Sequence, residues 1–202
     1  MKAMKKTIII LALAVFGGTA VFAQNIWTVN YEVGIPLGKM TDYISKTSWR
    51  GFSINGNTYV TDKLTLGGAL QWNAFYEKYP RDTYELDNGA VTSTVWAKMY
   101  VMPLLVNARY NFKPEGTFRP YVGLGTGAYY IQQETQFGMY VDSPKNWRFG
   151  LAPEVGLYYP FGLSDLALHA RIAYNQVFYN VDPVGSNLGY LDISIGLAFF
   201  SW

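Results

Sequence analysis

The chain has 202 residues, enough for one domain, and no cysteine, which excludes disulfides and thiolate metal sites. Aromatic residues make up 17% and charged residues 15% of it, an aromatic-rich and charge-poor balance for a soluble domain. Mean hydropathy is +0.03, too low for a bundle of membrane helices, but natural for a wall whose polar and apolar phases cancel.

The first 23 residues have a job of their own. Lys2, Lys5 and Lys6 precede an apolar run over residues 7–16, and Val21-Phe22-Ala23 then stands before Gln24. A basic start, a short greasy stretch and a small-residue site form the layout of a cleaved secretory signal. A membrane anchor needs about 20 apolar residues, and Gly17-Gly18 interrupts this run. The leader carries three of the basic residues and no acid. The remaining chain, 24–202, therefore holds one more acidic than basic group. The apparent net charge of +2 belongs to the leader, and no nucleic-acid partner follows from it.

Eight segments alternate with period two, the signature of half-buried strands. They cover about 26–36, 49–60, 64–76, 95–112, 118–130, 148–159, 166–178 and 190–202. In the first, Trp27, Val29, Tyr31, Val33 and Ile35 oppose Thr28, Asn30, Glu32 and Gly34. The fourth and fifth, VMPLLVNARYNF and FRPYVGLGTGAYY, flank the turn KPEGT and organise the chain. Each has one apolar phase and one phase of glycines, amides, tyrosines and arginine. Pro103 and Pro153 fall inside strands, where a ladder donor is lost, so bulges are expected there. Lys98 falls on the apolar phase. Either the register shifts near Pro103 or Lys98 stands above the hydrocarbon.

The connections alternate in length. Those at 61–63, 113–117 and 160–165 are short, and those at 37–48, 77–94, 135–147 and 179–189 are long. An up-and-down meander with one trimmed end produces this order, as in outer-membrane barrels. An open edge in lipid would leave backbone groups unpaired, so the eighth strand is expected to close on the first. The predicted fold is all-β, an eight-stranded antiparallel up-and-down transmembrane β-barrel. Aromatic residues mark both strand ends, as membrane interfaces favour. Trp27, Tyr59, Tyr110, Phe112, Phe118, Phe161 and Phe199 stand at the turn end, with Trp202 terminal. Trp49, Trp72, Tyr76, Trp96, Tyr130, Phe149 and Phe178 stand at the loop end.

The segments MPLLVNARYNF, FRPYVGLGTGAYY and FGLAPEVGLYYPFG resemble the small outer-membrane β-barrel family of Gram-negative bacteria, with OmpX-like, OmpA-N-terminal-like and OmpW-like members. The resemblance spans nearly all of 24–202. It implies residence in the cell outer membrane after export through the periplasm. It also implies contact with outer-membrane lipid and lipopolysaccharide, and handling by the barrel-assembly machinery. The C-terminus departs from the family's usual spacing between a glycine and the terminal aromatic: Gly196, Phe199, Phe200 and Trp202 do not fit it.

Three constellations are candidates for chemistry. The first is the inward charge set Glu32, Arg109, Arg119, Glu154, His169, Arg171 and Asp192. An eight-stranded barrel has an interior just wide enough for side chains, and buried charges must pair. An ion-pair plug is the main expectation, a gated narrow path the sharper one, and Glu154 with Arg109 or Arg171 the first pair to test. The second is His169, the only histidine. Barrel enzymes that modify lipid A use histidine with a nearby serine, but here the following residues are Ala170 and Arg171. Ser164 and Ser194 are candidates to approach His169 in space, though nothing in the sequence places them there. The expectation is no catalytic residue, no metal and no cofactor. The third is the pair of long loops at 76–89 and 135–147, rich in Tyr, Trp, Asp and Lys, where an extracellular ligand would bind. Gly123, Gly125 and Gly127 lead into no helix, so they read as packing room and not as a phosphate loop.

Three functions are therefore in view. A non-enzymatic outer-membrane barrel with a structural, surface-interaction or minor small-molecule permeation role leads. An outer-membrane lipid-modifying enzyme and a secreted lipocalin-like ligand carrier are the alternatives.

Overall fold

The computed structural model describes residues 24–86, 89–137, 140–142, 144–162, 164–179 and 187–201. The expected leader and Trp202 lie outside these residues. Eight long strands form one sheet: β1 (Asn25–Leu37), β2 (Ser48–Tyr59), β3 (Leu64–Leu86), β4 (Gly89–Asn111), β5 (Arg119–Phe137), β7 (Lys145–Pro160), β8 (Leu166–Val177) and β9 (Leu188–Ser201). A three-residue strand, β6 (Tyr140–Asp142), pairs only with the end of β5. Each long strand pairs antiparallel with its chain neighbour, and β9 closes on β1 from Asn25↔Ser201 to Leu37↔Gly189. The barrel is closed, eight-stranded and up-and-down.

Closure follows from where the two phases face. Outward side chains such as Leu104, Leu124 and Ile195 are 57%, 50% and 55% exposed, while Arg109, Asn55 and His169 on the inward phase are fully buried. An apolar outer wall with a polar interior is stable only when lipid bathes the outside. The soluble-carrier alternative needs the reverse arrangement and is set aside.

Two expected loops are strands. β3 and β4 stay paired as far as Leu86↔Gly89, and β5 continues to Phe137. Residues beyond Tyr76 keep β-favouring Tyr79, Thr83 and Tyr84. A strand leaving the membrane still satisfies its backbone by pairing with its hairpin partner. At about 3.3 Å per residue and a tilt of roughly 40°, a 23-residue strand rises about 58 Å, against an apolar band about 25 Å tall. The β3–β4 hairpin therefore stands far out of the outer face.

The prolines are absorbed without the expected bulges. Around Pro103 the β3–β4 ladder lapses between Leu70↔Leu104 and Asn73↔Val101, then resumes in the same register. Around Pro153 the β7–β8 ladder does the same between Leu151↔Gln176 and Glu154↔Ala173. One missing donor costs two successive ladder pairs, and the other edge of each proline's strand keeps its pairing. Register shifts occur instead at Glu32/Gly34 and at Tyr79/Asp82, the latter beside Pro80. Because register holds through Pro103, Lys98 remains on the outward phase and lies above the hydrocarbon. There it meets Glu134 on the neighbouring strand at 2.9 Å.

Most of the aromatic side chains at the two strand ends face outward. At the turn end Trp27, Tyr110, Phe112, Phe118, Phe161 and Phe199 are exposed outward, with Tyr110 edge-on to Phe112. At the loop end Trp49 is exposed, and rings pair along the wall: Phe52–Trp72, Trp72–Tyr100, Tyr76–Trp96, Tyr130–Trp147 and Phe149–Phe178. Tyr59 is an exception. It packs against the interior cluster of Ile26, Tyr121, Tyr158 and Phe200 that floors the turn end.

Candidate functional site

The lumen is filled in three layers, and the middle one carries the charge. Arg109 on β4 donates from Nε to Glu154 Oε1 at 2.5 Å and from Nη1 to the Tyr158 hydroxyl at 3.0 Å. Glu154 on β7 also meets Arg171 Nη1 at 3.2 Å. Arg171 on β8 donates from Nη2 to Glu32 Oε1 on β1 and from Nε to Ser194 Oγ at 3.2 Å. The order Arg109–Glu154–Arg171–Glu32 alternates in sign and links four strands across the interior. All four residues are almost wholly buried. Alternation compensates each charge on both sides where possible, which a buried ion pair requires.

Local geometry makes room for this chain. A Cβ at Gly123 would lie 2.9 Å from Glu154 Oε1 and 3.0 Å from Arg109 Cγ, and one at Gly156 would lie 2.5 Å from the Tyr121 hydroxyl. Gly123 of the PYVGLGTG segment is thus space for the ion pair and Gly156 space for Tyr121, while Gly125 and Gly127 lie against Leu105, Ala152 and the Leu104 backbone. The register shift at Glu32/Gly34 sits at the other end of the same chain, where a bulge re-aims a side chain.

Asp192 and His169 belong to separate hydrogen-bond groups. Asp192 accepts from Asn73 Nδ2 at 3.2 Å and Asn175 Nδ2 at 2.9 Å, and Asn175 in turn accepts from the Tyr129 hydroxyl at 2.8 Å. Amides, and not arginines, hold this carboxylate. His169 Nδ1 lies 2.6 Å from Asn30 Oδ1, and its Nε2 lies 2.8 Å from the Tyr121 hydroxyl. Asn30 Nδ2 is already directed at Thr28 and Ser53, so Oδ1 is the acceptor and Nδ1–H the donor. The ring also stacks on Tyr158, 4.9 Å between centroids. The serines weighed as partners are engaged elsewhere. Ser194 bonds Arg171, and Ser164 donates to Phe161 O in a turn.

Arg119 does not join the buried set. It is on the inward phase but at the barrel's rim, half-buried, with Nε donating to Gly116 O at 3.0 Å and the guanidinium 5.0 Å from the Phe200 ring. Parity places a side chain inward; depth along the strand decides whether water reaches it. Among the described residues no group of three or more His, Asp or Glu could hold a metal.

The outer layer comes from the long connection after β1. After β1 the chain forms a short 3-10 helix, Gly38–Asp42, and turns into the barrel mouth. Met40, Tyr43 and Ile44 are buried there against Phe75, Met99, Val101, Ile131, Val177 and Tyr190. Four polar contacts pin the segment. Ser45 N–H and Oγ bond Glu77 at 2.6 and 3.1 Å, Tyr43 Oη meets Thr135 Oγ1 at 2.8 Å, and the Tyr79 hydroxyl donates to Tyr43 O at 2.7 Å. The signal was present in the spacing of Met40, Tyr43 and Ile44, one apolar face at i, i+3 and i+4.

A family model described as "Outer membrane protein beta-barrel domain" matches residues 9–199. The chain belongs to that family. Its location is accordingly the cell outer membrane. A search of curated proteins finds no match. Among solved structures it is similar to a major outer membrane protein from Thermus thermophilus (TM-score 0.58, 13% identity, 89% of this chain and 100% of that one). It is also similar to Neisserial surface protein A (0.54, 16%, 88% and 96%) and to OprG from Pseudomonas aeruginosa (0.52, 13%, 89% and 96%). At these identities the likeness is one of fold.

Proposed function

We propose that this protein is a closed, non-enzymatic outer-membrane barrel whose role is structural and surface-presenting, with the β3–β4 hairpin as its outward platform. The observation that carries this reading is the double closure of the lumen. An alternating chain of buried charges crosses its middle, and Met40, Tyr43 and Ile44 seal its outer mouth. A permeation path would have to separate the ion pairs and lift the plug together.

His169 acts as a packing and positioning group in this reading. Its two nitrogens are committed to Asn30 and the buried Tyr121 hydroxyl, and neither Ser164 nor Ser194 bonds it. Residues 1–23 serve as the export signal, and the barrel-assembly machinery inserts the mature chain from the periplasm. Lipid of the outer membrane is then the permanent partner of the apolar wall.

Planar-bilayer recording tests the reading. The wild-type protein should give no steady conductance, and replacing His169 by Ala should leave lipid A composition unchanged in cells. A stable ohmic conductance of the wild type would replace the structural role with permeation. An altered lipid A on expression, lost with His169, would establish an enzyme.

A further inference from the structure

The outer wall carries a feature that lipid burial alone does not require. On the outward phase of β3, Ala74 stands between Trp72 and Tyr76. The small side chain leaves a notch with large rings above, below and beside it. Trp72 stacks on Tyr100, and Tyr76 lies tilted against Trp96. The notch opens into a groove of about 660 Å³ lined by Trp72, Ala74, Tyr76 and Tyr100, with Arg50 and Lys98 on its flanks.

The register explains why the two cations face each other. Gly51 pairs with Asn73, Ala74 with Tyr100, and Tyr76 with Lys98. Arg50 on β2 and Lys98 on β4 therefore flank β3 on either side of Ala74. Two strand spacings separate their backbones, about 10 Å, a gap that two long side chains reach across. Lys98 gives one N–H to Glu134, and an ammonium has three donors. Lys78, two residues further along the same face, lies over the Trp96 ring at 4.6 Å. Among the described side chains, Arg50, Lys78 and Lys98 stand against Glu134, a net positive balance. Directly below it the wall is hydrocarbon-facing, with Ile54, Leu70 and Leu104 exposed.

We propose that this groove binds the phosphorylated sugar headgroup of an outer-leaflet glycolipid, lipid A of lipopolysaccharide. Position, charge and shape point to the same occupant. The groove lies at the loop end, where the outer leaflet's headgroups begin. A guanidinium and an ammonium suit a phosphate, the first as a fork and the second as a point charge. The aromatic walls suit a sugar ring, and the exposed leucines beneath suit its acyl chains. The pair with Glu134 tempers the site, so binding depends on both cations together. None of this depends on whether the lumen conducts.

Native mass spectrometry of the detergent-solubilised protein with purified bisphosphorylated lipid A tests it. The wild type should retain bisphosphorylated lipid A at least about tenfold better than lipid A stripped of phosphate, the scale of a lost charge-assisted hydrogen bond. The Arg50→Ala/Lys98→Ala double variant should lose retention by a similar factor. A Lys63→Ala/Lys113→Ala variant, altered at the opposite end, should keep it. Both changed sites are at the surface, and heat-modifiable gel migration checks that each variant folds; the comparison of the two lipids needs no variant. Equal retention of the phosphate-free lipid, or full retention by the double variant, overturns the proposal. Displacement of the lipid by millimolar inorganic phosphate would also overturn it, since the groove would then be a site for free anions.

Discussion

The middle and the outer end of the lumen are lined by the same inward phase of the same strands, yet they are sealed by opposite physics. In the middle, Arg109, Glu154, Arg171 and Glu32 close the interior with alternating charge. At the mouth, Phe75, Met99, Ile131 and Tyr190 close it by burying Met40, Tyr43 and Ile44. The difference separates two kinds of stability. The charged layer ties β1, β4, β7 and β8 together across the cylinder, so losing it is a global event. The apolar layer is completed by one local segment, whose opening exposes few contacts and belongs to the low-energy end of local unfolding.

The largest test of that contrast is Glu154→Ala. It strips Arg109 of its only ion-pair partner among the described residues and leaves a buried cation. The expected loss is about 3–5 kcal/mol, read as a lowered urea midpoint for the folded-to-unfolded gel shift in vesicles. A loss below about 1 kcal/mol would mean that water already reaches the layer.

Ile44→Ala should cost about 2–4 kcal/mol, but locally. Hydrogen exchange over residues 40–45 should accelerate while the urea midpoint of the barrel stays put. If the midpoint falls as far as with Glu154→Ala, mouth and middle are one cooperative unit and the contrast fails.

Gly196→Ala probes the seam between the first and last strands. A Cβ there would overlap the Val29 carbonyl oxygen and lie 2.6 Å from Asn30 Oδ1. The strands must part, at about 1–3 kcal/mol, and Asn30 loses its aim at His169. Slower appearance of the heat-modifiable folded band is the expected readout. The smallest effect belongs to Lys98→Ala. Its partner Glu134 is partly exposed, and such pairs contribute under about 1 kcal/mol. The urea midpoint should scarcely move.

The eight-strand count, the antiparallel order and the closure were legible because period two runs through every segment and connection lengths alternate. Which charges lie inward was legible for the same reason. Which of them meet was not. Arg109 finds Glu154 and Glu32 finds Arg171 through a register that parity leaves open. Arg119 shares their phase but sits at the rim, because alternation encodes the face and not the depth. Asp192 ended among amides because Asn73 and Asn175, and not an arginine, occupy its level. The hairpin beyond Tyr76 was hidden by Pro80 and by charges that read as a loop. The plug was hidden because a single turn of helix contains too few residues for its period to stand out in a window suited to strands.

A lumen closed to water is the central claim, and the chain's lack of cysteine permits a direct test. Ser53→Cys and Ser194→Cys place single thiols on the inner wall, where both serines are buried. Thr117→Cys places one on an exposed turn. A charged, water-soluble thiol reagent applied to folded barrels in vesicles opened to both sides should label Thr117→Cys and leave the two luminal thiols untouched until the barrel is denatured. Labelling of either luminal thiol at the rate of the turn thiol would show a water-filled passage and contradict the closed lumen.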